Sequence, residues 1–165
     1  MKNKKLKDEI IDSMFIVSKK PVLFRDLLDA NVAFNEGMLV DPAKLNFRFR
    51  YGRSYIVFGV ICLVFLIPFI IITHSLFLKV DFHLSIIVSV LITALVFISF
   101  DLFKVWARKE LTQRLIKSAW QVHFPYFAYE KYSQKVEEIY DEAVKKELPR
   151  RDLEQYVLDS LVKQD

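Results

Sequence analysis

Residue types that catalyse reactions or bind metals are scarce in this chain of 165 residues. It has a single cysteine, Cys62, so an intrachain disulfide and a cysteine-rich zinc site are both excluded. Its three glycines, at positions 37, 52 and 59, do not form a phosphate-binding or dinucleotide-binding motif. The zinc-protease pattern H-E-x-x-H is also absent from the sequence. We therefore expect no catalytic residue, no cofactor-binding residue and no metal site, and we interpret the protein as a non-enzyme.

Three charged residues, Asp101, Lys104 and Arg108, follow the second of two long apolar stretches. A carboxylate inside a membrane is a candidate site for an ion or a proton. Asp101 lies near the end of a span-length segment, however, and Lys104 is one helical turn further on. We predict interfacial charges with an ion pair at the membrane surface, and an ion relay is the alternative.

The hydroxyl residues Ser85, Ser89 and Thr93 follow one another at intervals of four, which places them along one side of a helix. Small polar residues in such a row let two membrane helices approach closely and form hydrogen bonds. The row is therefore predicted to be a helix-helix packing surface. Lining a pore is the alternative.

The histidines also have a functional and a structural interpretation. His74 and His83, with Asp81, flank the turn between the apolar stretches, where they are candidate ligands of a divalent cation. No helical spacing holds these three together, so polar residues at an interface are the favoured interpretation. His123 lies among aromatic residues without a nucleophile nearby, which predicts a packing role instead of that of a catalytic base.

Two apolar stretches position most of these candidate residues, which lie within the stretches or beside their ends. Residues 54–78 contain no Asp, Glu, Lys or Arg over 25 positions, and residues 82–100 contain none over 19. Each stretch is long enough to cross a hydrocarbon layer of about 30 Å at about 1.5 Å per residue. We predict an antiparallel hairpin of two transmembrane helices, at 54–76 and 82–103, with a short external loop at 77–81. Ser54 is the predicted N-cap of the first helix, and Pro68 is predicted to kink it.

Positive charges around the two stretches predict their orientation. Only Lys79 lies in the connecting loop, whereas nine cations lie within 20 residues of the outer ends. These are Lys44, Arg48, Arg50, Arg53, Lys104, Arg108, Lys109, Arg114 and Lys117. Because cations favour the cytoplasmic side, we expect a multi-pass protein of a bacterial cytoplasmic (inner) membrane with both termini in the cytoplasm.

The carboxyl-terminal part of the chain is predicted to be helical and cytoplasmic. No glycine or proline follows Phe100 until Pro125, so the second span should continue as a helical extension over 104–124. Amphipathic helices should then fill 125–165. One face of the first carries the partner-facing candidates, which are Tyr129, Tyr132, Ile139 and Tyr140. Packing of this face on a final helix, with Leu153, Val157 and Leu161 inward, is favoured over contact with a partner.

The amino-terminal 53 residues form a predicted cytoplasmic amphipathic segment. Helices are expected at 3–18 and 22–34, and residues 45–51 alternate like a strand. Because one strand has no visible partner, an extended interfacial segment is the favoured interpretation. The cations in 2–20 and 48–53 predict contact with anionic lipid, although a solvated helix face is an equal alternative for the first range. The net charge of +4 is concentrated beside the membrane, so we expect no nucleic-acid partner.

Taken together, these patterns predict an all-α integral membrane protein, a two-span hairpin with a cytoplasmic helical module from both termini. With catalytic motifs absent, its remaining features are packing surfaces. The expected function is a non-catalytic accessory, scaffold or assembly subunit of a larger membrane complex, whose partners are lipid and other membrane subunits or further copies of itself. A homo-oligomeric channel or transporter subunit is the alternative, because two helices cannot enclose a path alone.

Overall fold

A computed structural model of the chain describes residues 6–77 and 82–163. These residues are mostly helical, with one short two-stranded sheet. In chain order the elements are α1 (Leu6–Met14), β1 (Phe15–Val17), α2 (Phe24–Asn35), β2 (Phe47–Phe49), α3 (Tyr51–Phe77), α4 (Phe82–His123), α5 (Tyr129–Lys145) and α6 (Arg150–Lys163).

The first apolar stretch lies in α3, which begins earlier than predicted. The helix starts at Tyr51, and Ser54 is buried inside its first turn. The Ser54 hydroxyl donates to the carbonyl oxygen of Arg50 at 2.9 Å. Ser54 is therefore not an N-cap, because a capping hydroxyl accepts from backbone N–H groups beyond it instead of donating to a carbonyl one turn before it. Pro68 lies within the continuous helix.

The second apolar stretch is the first part of α4, which continues without a break to His123. The predicted extension over 104–124 is therefore helical as far as His123. Pro125 comes two residues later, and it cannot donate the backbone hydrogen bond that another turn would need. The backbone N–H of Phe124 still donates to Trp120, so the last turn closes before the proline.

The amino-terminal segment corrects two predictions. The first helix ends at Met14 instead of extending to residue 18, and Phe15–Val17 pairs with Phe47–Phe49 as a sheet. Residues 45–51 are therefore not an unpaired extended segment, because their middle part has a strand partner. The Phe15 and Phe49 rings meet edge to face at 4.9 Å, which packs the pair on one side.

The described chain divides into two compact units. The first contains α1, α3 and α4 as far as Ala107, and its buried side chains include Ile11, Met14 and Phe100. The second contains α2, α4 from Arg108 onward, α5 and α6, and we call it the helical module.

The helical module has a closed hydrophobic core. In it α2 packs against α5 and α6, and α5 packs against α6. The core side chains from the four helices include Leu27, Leu28, Leu111, Ile116, Trp120, Val136, Ile139, Leu153, Val157 and Leu161. The predicted packing of the carboxyl-terminal helices on each other is confirmed, and α2 adds a third contributor to the same core.

Candidate functional site

The largest unusual surface of the described chain is the apolar exterior of α3 and α4. Both helices are long and apolar enough to cross a membrane. Almost none of their apolar stretch is buried within the chain, and Phe97, for example, is 70% exposed. A water-soluble protein rarely leaves so large a continuous apolar surface uncovered, so lipid or another protein must cover it.

Five aromatic rings join α3 to α4 where their apolar stretches meet the charged residues. Tyr55 stacks on Phe100 at 4.7 Å, and Phe58 contacts both Phe100 and Phe103 at 5.1 and 5.5 Å. Phe103 in turn stacks on Trp106 at 5.8 Å. We call these five residues the aromatic belt. Tyrosine and tryptophan, which form its two ends, are the residues enriched where a bilayer meets water.

Two of the three predicted interfacial charges form a pair beside this belt. The Lys104 ammonium lies 2.6 Å from the Asp101 carboxylate and 4.7 Å from the centre of the Phe100 ring. The Asp101 side chain is 73% exposed, so it is not the enclosed carboxylate that an ion relay requires. Arg108 belongs to another environment, since its guanidinium donates to the carbonyl oxygen of Val40 at 2.6 Å in the helical module.

The predicted packing row lies mostly on the outside of α4. Ser85 is half-buried, whereas Ser89 and Thr93 are exposed. The hydroxyls of Ser89 and Thr93 donate to the carbonyl oxygens of Ser85 and Ser89 in the same helix, at 2.9 and 2.8 Å. No residue of the described chain covers this side, so its use for packing remains a prediction about a helix from another chain.

Three of the four partner-facing candidates are core residues of the helical module. Tyr132, Ile139 and Tyr140 are each less than a tenth exposed, because α5 turns this face toward its own neighbours. The folded module therefore cannot offer them to a partner. Tyr129 is half-buried, and its ring meets Trp120 edge to face at 5.2 Å. Burial raises the pKa of the Tyr129 hydroxyl, so this residue stays neutral at physiological pH.

An exposed aromatic surface that the sequence did not single out lies beside Trp120. A cleft of about 390 Å³ opens there, lined by aromatic residues of the turn between α4 and α5. Tyr126 on this turn is 92% exposed. At the rim, the Lys117 ammonium pairs with Glu130 at 2.6 Å and lies over the Tyr129 ring. Because tyrosine is enriched in protein interfaces, this surface replaces the α5 face as the candidate contact of the module.

The buried face of α5 contains one polar network. Asp29 on α2 accepts hydrogen bonds from Tyr140 on α5 at 2.5 Å and from Lys44 at 2.7 Å. Burial alone would raise the pKa of the Asp29 carboxyl, but the two hydrogen bonds and the positive charge of Lys44 outweigh it and lower the pKa. Burial, with the bond to Asp29, raises the pKa of Tyr140 to about 12. The network therefore holds a charged Asp29 and a neutral Tyr140 together at physiological pH.

We predict that Tyr140→Phe lowers the free energy of unfolding of the helical module by about 1–2 kcal/mol at pH 7. The reason is that the half-buried Asp29 carboxylate loses the hydrogen bond that the Tyr140 hydroxyl donates to it. The measurement is denaturant unfolding of the full chain in detergent micelles, followed by tryptophan fluorescence. Tyr156→Phe is the matched control, because the Tyr156 hydroxyl accepts a hydrogen bond from the exposed Lys146 ammonium at 2.7 Å. An equal loss from both variants would contradict the role given to Asp29.

The loss of stability caused by Tyr140→Phe should depend on pH, because both Asp29 and Tyr140 titrate. Because the Asp29 pKa is lower in the folded chain, its contribution is present above the ordinary value of 3.8 and is lost as the pH falls through the folded value. Because the Tyr140 pKa is raised from 10.0 to about 12, its contribution is complete below pH 10 and is lost as the pH rises toward 12. The difference between wild type and variant should shrink at both ends.

His123 lies in a packing cluster, as its sequence neighbours predict. Its Nε2 lies 2.9 Å from the carbonyl oxygen of Val22, and its ring meets Phe24 at 5.5 Å. Over residues 6–77 and 82–163 no three histidine, cysteine, aspartate or glutamate side chains are grouped so that they could hold a metal ion. Of the three candidate cation ligands, Asp81 and the side chain of His74 lie outside the described residues.

Comparison of the chain with protein-family models, with curated proteins and with solved structures finds no match. Its function is therefore argued from its own residues.

Proposed function

We propose that the protein is a non-catalytic accessory or scaffold subunit of a larger membrane complex. The observation that carries this proposal is the uncovered exterior of α3 and α4, which includes the hydroxyls of Ser89 and Thr93. Lipid can cover the apolar side chains, but a row of small polar residues favours a neighbouring helix. The proposed partners are the bilayer, with anionic headgroups near residues 2–20 and 48–53, and other membrane subunits or further copies of this chain.

The proposal includes a membrane topology. In it α3 and α4 cross a bacterial inner membrane as an antiparallel hairpin, with both termini and the helical module in the cytoplasm. Contacts of Tyr55 and Phe58 near the start of α3 with Phe100 and Phe103 support antiparallel helices, because these rings lie a span's length from the connecting loop. The nine flanking cations against one loop cation support the orientation.

We predict that reporter fusions at residue 1 and after residue 165 report the cytoplasm, and that an insertion near residue 79 reports the outside. Translocation of a segment becomes less favourable as its flanking cations increase, so the loop is the part that crosses. The measurement is paired activity of a reporter that works only outside the membrane and one that works only in the cytoplasm. An external carboxyl terminus would overturn the topology.

We predict that Ser89→Leu weakens association of the protein with its partner helix by about tenfold, equivalent to about 1.4 kcal/mol. A leucine in the small-residue row keeps the two backbones apart and removes a hydroxyl. The matched control is Ala94→Leu, which adds similar bulk to α4 away from Ser89. Association is measured by recovery of partners, or of a differently tagged second copy, in mild detergent. Equal losses from both variants, or no loss from either, would count against this side of α4.

A homo-oligomeric channel is the second candidate, because the exposed hydroxyls of Ser89 and Thr93 would line a pore if several copies assembled. The absence of a charged residue midway along this apolar stretch favours packing over this role, because a single row of hydroxyls makes a poor path for ions. Ion flux through vesicles that contain only the purified protein distinguishes the two. Sustained flux that Ser89→Leu abolishes would establish the channel and refute the scaffold.

A further inference from the structure

We propose that α1 is an interfacial helix whose Leu6–Ile10 edge lies in the headgroup layer of the bilayer. This inference rests on the proposed insertion of α3 and α4. The occupant of the edge is phospholipid, and the evidence comes from where α1 is attached, what lies beside it and how its side chains are distributed.

The carboxyl-terminal end of α1 is fixed at the beginning of α3. The backbone N–H of Arg50 donates to the carbonyl oxygen of Met14 at 2.7 Å, and α1 packs against α3. Ile11 and Met14 are fully buried in this contact region. The apolar stretch of α3 begins at Ser54, only four residues after Arg50. Four residues of helix advance about 6 Å, which is about the thickness of one headgroup layer.

The amino-terminal end of α1 lies beside the aromatic belt. The Lys7 ammonium lies 6.0 Å from the centre of the Trp106 ring, and Trp106 is itself partly exposed. A tryptophan next to an apolar span marks the level of the bilayer interface. One end of α1 is thus hydrogen-bonded to Arg50 and the other lies near Trp106, and both of these residues are expected at the level of the bilayer interface.

One edge of α1 carries Leu6 and Ile10, whereas Asp8 and Asp12 lie on the far side of its buried face. Leu6 is 74% exposed and Ile10 is half-buried, and at 100° per residue they lie within about 40° of each other. On the same basis Asp8 and Asp12 lie about 120–160° from Leu6 and Ile10, on the other side of the buried face, and exposed Glu9 lies about 60° from Leu6 at the border between them. An amphipathic helix at a bilayer surface has this division, with leucine and isoleucine toward the acyl boundary and charges toward water.

The unit that contains α1 also has a larger exposed apolar surface on α3 and α4. Tyr51, Leu102 and Val105 are exposed at the same end of α3 and α4, in the unit that contains α1. An isolated exposed leucine on a soluble protein needs no explanation. Here Leu6 lies on a helix that is fixed at the start of α3, the first proposed span, so the bilayer is the occupant that this attachment selects.

The test uses single nitroxide labels in the full chain with Cys62→Ser, which removes its only thiol. Labels are placed by Leu6→Cys on the apolar edge, by Asp12→Cys on the acidic edge as matched control, and by Phe97→Cys in the apolar stretch. The protein is reconstituted in vesicles of phosphatidylcholine and phosphatidylglycerol. Accessibility to a water-soluble nickel relaxant and to oxygen is then measured by electron paramagnetic resonance. All three positions are exposed, so a label fits at each without entering the core.

We expect the label at residue 6 to be several-fold less accessible to the nickel relaxant than the label at residue 12, and more accessible to oxygen. Equal accessibility at 6 and 12 with a protected residue 97 would overturn the position of α1 and leave the membrane hairpin standing. An accessible residue 97 would refute membrane insertion itself. Protection of residue 6 that disappears as the lipid-to-protein ratio rises would show that a second copy covers the edge, and it would overturn contact with lipid.

Discussion

Ile139→Asp is expected to unfold the helical module while α3 and α4 remain inserted. Ile139 is 4% exposed on the face of α5 that packs into the core. A carboxylate there loses its hydration without gaining a partner, which costs about 4 kcal/mol or more, a large part of the stability of a small domain. Limited proteolysis of the protein in vesicles measures the result as rapid cleavage within α5 and α6.

The matched control for this substitution is Val144→Asp on the same helix. Val144 is 57% exposed, so the same carboxylate stays in water and stability should change by no more than about 0.5 kcal/mol. Both variants should insert normally, as judged by resistance to alkaline extraction. Equal protease sensitivity of the two variants would show that the face of α5 is not a core, and the module would need another packing scheme.

Truncation after Phe124 is expected to yield an inserted hairpin that recovers few or none of the partners of the full chain. The truncation removes α5 and α6 and leaves the buried side chains of α2, including Leu27 and Leu28, without a covering layer. It also removes Tyr126 from the exposed aromatic surface. The measurement is affinity purification in mild detergent with quantification of every co-purifying protein.

Two outcomes separate the possible roles of the module in this experiment. Val144→Asp in the full chain controls for altered charge, and it should recover partners at the wild-type level. If the truncated hairpin recovers the full partner set, the scaffold role of the module is wrong and binding resides in α3 and α4. If the truncation and Ser89→Leu each abolish recovery, both parts are needed.

The helices of the carboxyl-terminal half could be predicted because their determinants are local. The absence of glycine and proline between Phe100 and Pro125 is sufficient to indicate one continuous helix. The helical periodicity of Val136, Ile139 and Ala143 likewise identifies the face of α5 that is buried. Periodicity alone does not indicate which element covers this face of α5, so the pattern is also compatible with a partner protein.

The strand pairing and the side-chain contacts that could not be predicted join residues that are far apart in sequence. Phe15–Val17 has the composition of a strand, but it begins to pair only when Phe47–Phe49 is brought beside it. Asp29 and Tyr140 are 111 positions apart, and neither has a neighbour in sequence that indicates the bond between them. Proximity along the chain predicts that Arg108 is an interfacial charge beside Asp101, whereas its guanidinium donates to the carbonyl oxygen of Val40.

The helical module is assembled from two separate parts of the chain, and this fixes the order of events during synthesis. Asn31 on α2 donates to the carbonyl oxygen of Ser133 on α5, 102 residues later. At about 5–20 residues per second, the ribosome needs about 5–20 s to make that interval. During this time the ribosome also makes both apolar stretches, so on the proposed topology insertion of α3 and α4 would begin before the core of the module can close. The apolar face of α2 stays exposed until α5 has been made. A chaperone that delays aggregation of this face would act in that interval.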